Sequence, residues 1–173
     1  MKWMVAMVSS LLLMAGCSTD VGEYQQATPR FDLFEFFQGD LTAWGMIQDY
    51  SDKQTRRFEV QIQGQVDGDT LTLVEDFVFD DGETDQRVWV IKRVGDKRYQ
   101  GQADDIVGVA SGEEMGNVLQ WKYDFELPRG DSTVTVTFDD WLYRQDDKRA
   151  FNVTKIRKLG FEVGRLTIFF EKQ

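Results

Sequence analysis

The chain alternates apolar and polar residues over most of its length, and this period of two limits its possible folds more than any other feature. Three runs show the alternation most plainly, at 58–66, 119–127 and 133–138. In each run, alternate positions carry aliphatic or aromatic residues, and most positions between them carry charged residues, Gln or Thr. Because successive side chains of a strand point to opposite faces, these runs predict strands with one buried and one wet face.

Short turn sequences separate the runs and predict an antiparallel meander. Glycine within these turns supplies the positive φ that tight hairpins require. A sheet of about ten strands tends to curl and close, because closure removes its unpaired edges. We therefore predict an all-β, antiparallel up-and-down barrel. The predicted strands cover residues 44–49, 56–66, 70–79, 84–94, 98–103, 105–111, 117–127, 132–143, 151–158 and 161–171.

Residues 31–37 depart from the alternation, because their phenylalanines recur at helical spacing. This spacing predicts a short helix or 3-10 segment that caps one end of the barrel. Gly39 and Trp44 then lead into the first strand. A short helix, a glycine and a tryptophan entering strand one resemble the opening of lipocalins and other calycin barrels, although the spacing differs from their Gly-x-Trp.

The first sixteen residues have the features of an export signal. Lys2 precedes an apolar stretch that is shorter than the roughly 20 residues needed to span a bilayer. The stretch ends in Leu13-Met14-Ala15-Gly16-Cys17, which resembles the lipobox of bacterial lipoproteins, with Met14 where Leu is usual. The resemblance implies diacylglycerol on the Cys17 thiol, cleavage before Cys17, and acylation of the new amino group. The alternative is an ordinary secretory signal with an incidental cysteine.

Residues 18–30 are polar and lack an apolar period, which predicts a tether. The chain thus divides into a signal peptide at 1–16, a lipidated tether at 17–30 and a single barrel domain at 31–173. Ser18 follows the lipobox cysteine, where Asp would favour retention in the inner membrane in lipoproteins of this type. We therefore expect a lipid-anchored protein of the bacterial cell envelope, on the periplasmic face of the outer membrane if the source is Gram-negative.

Charge and composition exclude several classes of function. The chain carries 30 acidic and 20 basic residues, for a net charge of -10. Such a surface repels phosphates and anionic head groups, so nucleic-acid binding and a polybasic membrane contact are both disfavoured. Without histidine, the Ser/His/Asp and Cys/His catalytic sets and a haem held by a proximal His are impossible. A zinc site would need carboxylates alone, which is uncommon, and no cofactor is predicted.

A series of short motifs is spread along the barrel domain. The motifs are Phe36-Phe37-x-Gly39, Ala43-Trp44-Gly45, Asp80-Asp81-Gly82-Glu83, Arg87-x-Trp89, Gly116-Asn117 and Asp139-Asp140-Trp141. In this order they resemble an uncharacterised family of Gram-negative lipoproteins, known as domain of unknown function thirty-eight thirty-three. The likeness runs from about Pro29 to the C-terminus and so covers nearly all of the mature chain. It implies a lipoprotein and brings no activity or catalytic residues with it.

Several charged residues fall in phase with the apolar face of their strands, which predicts that they point into the barrel. Glu75, Arg87 and Asp140 share this phase directly. Asp105 points inward only if its strand runs through without a bulge. Lys155 points inward if Val153 is on the inner face of its strand, and outward if Ile156 is. A buried charge needs a partner or a shifted pKa. The candidate ligand-binding residues are Glu75, Arg87, Trp89, Asp105, Trp121, Tyr123, Asp140 and Lys155.

In the functional interpretation, these charges form a polar floor beneath an apolar pocket. Arg87 or Lys155 would then meet an anionic head group, and the carboxylates would orient the two cations. The alternative is a structural cluster of salt bridges, or strand ends where charges reach water. Aromatic residues such as Trp44 would line the pocket or simply fill the core. Trp141 is out of phase with the core face, which predicts that it is exposed or covered by a neighbouring loop.

Two acidic groups have simpler interpretations. The residues at 80–85 lack the spacing of a calcium loop, which predicts a solvated hairpin. Asp139 and Asp140 are adjacent on one strand and point to opposite faces, so they cannot flank one bond as a catalytic dyad.

Three functions remain open. The first is binding of a lipid or other apolar ligand inside the barrel. The second is an interaction or structural module of the envelope with a packed barrel, whose protein partners the sequence does not identify. The third and least favoured is a lipid-modifying enzyme that uses Glu75 or Asp140 as an acid or base.

Overall fold

The computed structural model describes residues 19–130 and 132–173, without the side chain of Arg129. The predicted signal peptide and Cys17 lie outside the described residues. Within them, the chain forms a closed barrel of ten antiparallel strands, preceded by a 3-10 helix, η1 (Val21–Tyr24), and an α-helix, α1 (Leu33–Phe37). The strands are β1 (Gly39–Asp49), β2 (Gln54–Asp67), β3 (Thr70–Phe79), β4 (Thr84–Gly95), β5 (Arg98–Gln102), β6 (Ile106–Met115), β7 (Val118–Arg129), β8 (Ser132–Arg144), β9 (Arg149–Lys158) and β10 (Phe161–Lys172).

The barrel is an up-and-down meander in which each strand pairs with its neighbours in the chain. β10 returns to pair with β1, with Leu41 opposite Lys172, and so closes the sheet. The predicted all-β closed barrel is therefore confirmed. β1 begins at Gly39, earlier than predicted, because the alternation already starts there: Leu41 and Ala43 are buried in the core, and Asp40 and Thr42 lie on the other face, where Thr42 is covered and bonds to Gln61.

Helix α1 covers one end of the barrel, which we call the closed end. The Asp32 carboxylate accepts hydrogen bonds from the backbone N–H groups of Phe34 and Glu35 at 2.9 and 3.0 Å, a typical N-terminal cap. Four of the five helical residues are buried, and Phe36 is only 1% exposed. At Gly64, a Cβ atom would lie 1.7 Å from the carbonyl oxygen of Phe37. The glycine therefore lets the helix sit directly against the wall.

Helix η1 packs on the outside of the barrel, near the closed end. The Tyr24 ring lies 6.2 Å from Trp141 and 6.0 Å from Tyr143. The backbone N–H of Phe31 donates to the carbonyl oxygen of Gly116 at 2.7 Å. Part of the segment predicted as a tether is thus in contact with the barrel. Trp141 is covered by a neighbouring segment, which is one of the two positions that its phase left open.

The opposite end, which we call the open end, has no helix over it among the described residues. The aromatic side chains Phe77, Phe79, Phe125 and Phe138 lie there and are only partly buried. Phe79 stacks on Phe77 at 6.0 Å between ring centroids. The barrel thus has a packed, covered end and a mouth lined by half-buried aromatic rings.

Trp44 lies on the outer face of the barrel, so its predicted place in a pocket is wrong. It is 42% exposed and stacks on Phe169 at 6.1 Å. The inward phase of β1 belongs to Leu41 and Ala43, which are 1% and 0% exposed. No helix among the described residues is long and apolar enough to cross a membrane.

Candidate ligand-binding site

A cavity of about 120 Å³ lies inside the barrel, between α1 and the open end. Leu33 and Phe37 of α1 bound it at the closed end, and Phe58 and Phe77 line it towards the mouth. Most of its wall is apolar, because the inward positions of the strands carry aliphatic and aromatic residues. The polar side chains that line it are Glu75, Arg87, Tyr123, Asp140 and Asn152.

Three large aromatic side chains form one wall of the cavity. Trp89 meets Trp121 edge to face at 5.7 Å and Tyr123 at 5.3 Å between ring centroids, a geometry that aromatic pairs favour. Glycines on the neighbouring strands make room for the Trp121 ring. A Cβ atom at Gly101 or Gly112 would lie 2.6 or 2.3 Å from it. These glycines therefore keep the indole flat against the barrel wall.

Arg87 is held by an ion pair at the edge of the cavity. Its Nε and Nη2 atoms lie 2.7 and 2.6 Å from Oδ2 of Asp105. Its guanidinium also lies near the rings of Phe77 and Phe125, at 5.7 and 5.3 Å from their centroids. Burial lowers the pKa of Arg87, but attraction to Tyr123, Glu75 and Asp105 outweighs burial and raises it. Arg87 is thus a permanent cation that already has a partner.

Asp140 is anchored by two polar residues of β9. Thr154, which is fully buried, donates its hydroxyl to Oδ1 of Asp140, and Asn152 donates its amide to the same oxygen at 3.3 Å. Burial raises the pKa of Asp140 to about 6, although both hydrogen bonds work to lower it. The Asp140 side chain is therefore fixed in position and titrates near neutrality.

Glu75 has no such partner. It lies opposite Arg87 in the register of β3 and β4, yet no described residue donates a hydrogen bond or forms an ion pair to its carboxyl group. Burial raises the pKa of Glu75 to about 7, Arg87 opposes this, and Asp105 and Asp140 add to it. The carboxyl group therefore exists in both protonation states near neutral pH, and either donates or accepts a hydrogen bond.

Further unpaired polar atoms lie close to this group. The side-chain oxygen Oδ1 of Asn152 is buried and accepts no hydrogen bond in the structure, and the same holds for Oδ1 of Asp105. A buried polar atom without a partner costs about 1 to 3 kcal/mol. A ligand with hydrogen-bond donors would remove that cost.

The charge of the interior bears on the predicted binding mode. Among the described residues that line the cavity, one is a cation, Arg87, which faces the carboxyl groups of Glu75, Asp105 and Asp140 and is already bound to Asp105. The interior is therefore neutral to acidic. Lys155 points outward, so its predicted contact with an anionic head group is wrong. The predicted contact of Arg87 with such a group stays a prediction, and it would compete with Asp105.

The structure brings seven of the eight predicted site residues into the interior or its edge and excludes Lys155. On β9, Ala150, Asn152 and Thr154 point inward, so Val153 and Lys155 point outward and are exposed. The strand phase was ambiguous because apolar residues occur on both of its faces.

Asp105 reaches Arg87 by a route other than the predicted one. It lies in the turn between β5 and β6 and not within a strand. The pairing of β6 with β7 shifts between Val107 and Ser111, and Val107 and Val109 are exposed on the outside. The bulge that the sequence left open is therefore present.

Sequence reasoning missed three polar residues. Asn152 and Thr154 hold Asp140, as described above, and Glu114, only 5% exposed, accepts the backbone N–H of Leu33 at 3.0 Å. All three alternate with small inward residues, Ala150 on β9 and Ala110 on β6. That alternation is the signal that could have found them.

The acidic groups outside the cavity form surface contacts. Asp80 pairs with Arg57, and Asp81 pairs with Arg56 at 3.1 Å. Among the described residues, no group of three or more His, Cys, Asp or Glu side chains is arranged to hold a metal ion. Asp139 points outward and accepts from Gln120 at 2.7 Å, on the opposite face from Asp140.

Comparisons with known proteins place the chain in a family and a fold. A family model described as "Protein of unknown function (DUF3833)" matches residues 11–172, in agreement with the motifs. No curated protein matches the chain. Among solved structures, the S-type phycobiliprotein lyase CPES from Guillardia theta has a similar fold, with a TM-score of 0.55 and 9% identity over 81% of this chain and 90% of that one. The two proteins share a calycin-like barrel, and at this identity no residue of the lyase is matched to a residue of this chain.

Proposed function

Because the chain belongs to the DUF3833 family, whose description gives no activity, we propose a function from its own residues: it binds a small, mainly apolar ligand that carries a hydrogen-bond donor. The ligand lies within the barrel and points its polar group at Glu75. The observation that carries this proposal is the Glu75 carboxyl group, which faces an apolar cavity without a partner among the described residues. A polar group in such a place is costly unless a ligand completes its hydrogen bonds.

The size of the cavity limits the ligand. Pockets for drug-sized ligands usually measure about 300 to 1,000 Å³, whereas this one measures about 120 Å³. The ligand is therefore either small or a narrow chain that passes out through the mouth. The half-buried rings of Phe77, Phe79, Phe125 and Phe138 are the side chains that would move to admit a longer one.

The chemistry of the interior favours a neutral or cationic polar group. With Arg87 paired, the remaining polar atoms are mainly carboxyl and amide oxygens, which accept hydrogen bonds, together with the Tyr123 hydroxyl, which donates or accepts one. An alcohol, amide or amine on an apolar body fits this set, whereas a fatty-acid carboxylate would meet like charge. The fold neighbour is a phycobiliprotein lyase, which supports a barrel that handles a ligand over one that serves only as a scaffold.

Fluorescent probes test this proposal. N-phenyl-1-naphthylamine is apolar and carries one N–H donor, and cis-parinaric acid is apolar and, when ionised, anionic without a donor. We expect the protein to bind the amine more tightly than the carboxylate, and Glu75→Leu to weaken amine binding about fivefold to tenfold, the value of one hydrogen bond. Asp76→Asn, on the outer face of the same strand, is the matched control. Equal binding of both probes, or no effect of Glu75→Leu, would refute the proposed contact.

The cellular location is a separate part of the proposal. The lipobox at Cys17 and the lipoprotein resemblance support a lipid-anchored protein of the bacterial envelope, facing the periplasm from the outer membrane. Labelled palmitate should enter the wild-type chain and not Cys17→Ser. A wild-type chain that fractionates with membranes but takes up no label would place the anchor elsewhere.

One alternative function has a specific observation behind it. An exposed aromatic ladder on the outer face, Trp44, Phe169 and Phe151, would suit an envelope interaction module. Photocrosslinkers at Trp44 and Phe151 would then capture one protein partner in envelope membranes, and Glu75→Leu would leave that capture unchanged.

An enzymatic alternative rests on the two titrating carboxyl groups. Burial brings the pKa of Glu75 to about 7 and that of Asp140 to about 6, values that suit proton transfer at neutral pH. If this alternative holds, Glu75→Gln and Asp140→Asn abolish turnover of a lipid substrate while probe binding persists.

A further inference from the structure

Two adjacent hairpins at the open end expose large apolar side chains at their tips. Leu159 is 90% exposed, Tyr50 83% and Phe161 77%. The hairpins β1–β2 and β9–β10 are neighbours, because β1 pairs with β10 and Asp49 lies opposite Gly164. We call these three side chains the apolar tip. Large side chains exposed together in this way are typical of a surface that meets another apolar surface.

Leu159 is poorly suited to its turn. The two-residue turn Leu159-Gly160 joins β9 to β10, and both residues have positive φ, at 50° and 85°. Asn or Gly is preferred at the first position of such a turn, because other side chains crowd the backbone there. Neither local backbone preference nor burial accounts for a leucine at this position. A contact made outside the barrel would account for it.

The local charge around the apolar tip is opposite to that of the chain. Residues 49–53 and 155–165 contain five basic and three acidic residues, whereas the whole chain has a net charge of -10. Arg165 pairs with Asp52 and Glu162. Lys155, Arg157 and Lys158 form no ion pair with a described residue. The next hairpin, β3–β4, instead carries the acidic residues at 80–85.

We propose that the apolar tip inserts into the interface of a bilayer that contains anionic lipids, with Lys155, Arg157 and Lys158 against the head groups. Apolar side chains flanked by basic residues are the combination that holds proteins at such interfaces. The tip protrudes from the end of the barrel, so it can enter a bilayer without any change in the barrel wall. Docking at this end would also place the mouth of the cavity beside the lipid.

This contact is distinct from any anchor at the N-terminus. The described chain starts beside the closed end, where Tyr24 packs on Trp141 and Phe31 bonds to Gly116. Tyr24 and Phe31 therefore lie at the end of the barrel opposite the apolar tip. The two contacts can be measured independently by probes at the two ends.

Environment-sensitive labels on the full chain test the proposal. In a Cys17→Ser background, a nitrobenzoxadiazole label is placed through Phe161→Cys at the tip, or through Asp96→Cys in the exposed β4–β5 turn of the closed end. Vesicles are made of phosphatidylcholine alone or of phosphatidylcholine with phosphatidylglycerol. We expect the tip label to shift to shorter wavelength, and to be quenched by brominated lipid, only on the anionic vesicles. The label at position 96 should not respond.

Two variants of the tip make the test decisive. Lys158→Glu should weaken vesicle binding more than fivefold, because each basic residue near an anionic surface contributes about that factor. Leu159→Asn should weaken binding while raising resistance to urea, because it removes an exposed apolar side chain and relieves the turn. A tip label that does not respond to anionic vesicles, or that responds equally in the Lys158→Glu variant, would overturn the proposal.

Discussion

The two ends of the barrel are built from the same kinds of residue and differ in how far they are buried. At the closed end, α1 covers the lumen, and Phe36 and Leu33 are 1% and 3% exposed. At the open end, Phe77 and Phe79 remain partly exposed, and no described helix covers them. The difference shows that aromatic content alone does not make a core, because a covering segment decides whether the rings form a packed layer or a mouth.

Between the two ends, the interior contains charges that a packed core would exclude. Glu75, Arg87 and Asp140 lie at the level where the apolar closed end gives way to the mouth. Such groups cost free energy unless they are paired. Arg87 and Asp140 have partners, and Glu75 has none among the described residues, so Glu75 is the group most clearly placed for a ligand.

The substitution expected to lower stability most is at the closed end. Phe36→Ala should lower the free energy of unfolding by about 4 kcal/mol, because a fully buried ring leaves a cavity. Phe79→Ala at the mouth should cost only about 1 kcal/mol, since that ring is already partly in water. Urea unfolding of both variants measures the difference. Equal losses would mean that the open end is as tightly packed as the closed end.

The next largest effect concerns the ion pair beneath the mouth. Arg87→Leu should cost about 2 to 3 kcal/mol, because it leaves Asp105 unpaired beside Glu75 and Asp140. Arg57→Leu removes an exposed ion pair with Asp80 and serves as the control, with an expected change below about 0.5 kcal/mol. Urea unfolding again gives the values. If Arg87→Leu left the free energy of unfolding unchanged, the interior charges would be well solvated.

Stability should fall as the pH rises, because the folded state holds protons that the unfolded chain releases. The pKa of Glu75 is about 7 in the folded protein against 4.5 in the unfolded chain, and that of Asp140 is about 6 against 3.8. With respect to these two groups, stability is therefore greatest below about pH 4 and is lost progressively up to about pH 7.

Substitution identifies the groups responsible for this pH dependence. Glu75→Gln should flatten the stability profile between pH 4.5 and 7, and Asp140→Asn should flatten it between pH 3.8 and 6. Thermal unfolding across this range measures the slope. A profile that rises with pH in the wild type, or that is unchanged in both variants, would contradict the burial of these carboxyl groups.

The smallest effect tests the attachment of the covering helix. Glu114→Leu removes the acceptor for the backbone N–H of Leu33 and should cost about 1 kcal/mol. Amide hydrogen exchange within α1 should accelerate, while that of the strands changes little. Glu113→Leu, on the outer face of the same strand, should leave exchange unchanged. If both variants behave alike, Glu114 does not hold the helix.

The sequence predicted the barrel well because alternation and turn glycines are local signals. All ten strands, the short helix before them and the outward phase of Trp141 follow from such patterns. Interior charges on strands with one apolar face, such as Glu75 and Arg87, were found in the same way. Which carboxylate pairs with Arg87 depends on side-chain geometry across the strands, so the sequence named Asp105 as one of three candidates and did not single it out.

The failures share a physical cause. On β9, both Val153 and Ile156 are apolar, and only the neighbouring strands decide which face is inside, so Lys155 was placed wrongly and Asn152 and Thr154 were missed. Net charge describes the whole surface and not its parts. The value of -10 for the whole chain disfavours a basic contact with a membrane, whereas the basic residues around the apolar tip are clustered at one end, so the proposed tip contact tests that expectation.

Native mass spectrometry of the full chain, released gently from the membranes of its host, tests whether the barrel holds a ligand at Glu75. We expect the wild-type protein to carry a non-covalent ligand with an apolar body and a hydrogen-bond donor. Glu75→Leu should lose that mass while Asp76→Asn keeps it. A wild-type protein that carries no ligand and admits no donor-bearing probe would contradict the account, and the interior of the barrel would then be a core and not a binding site.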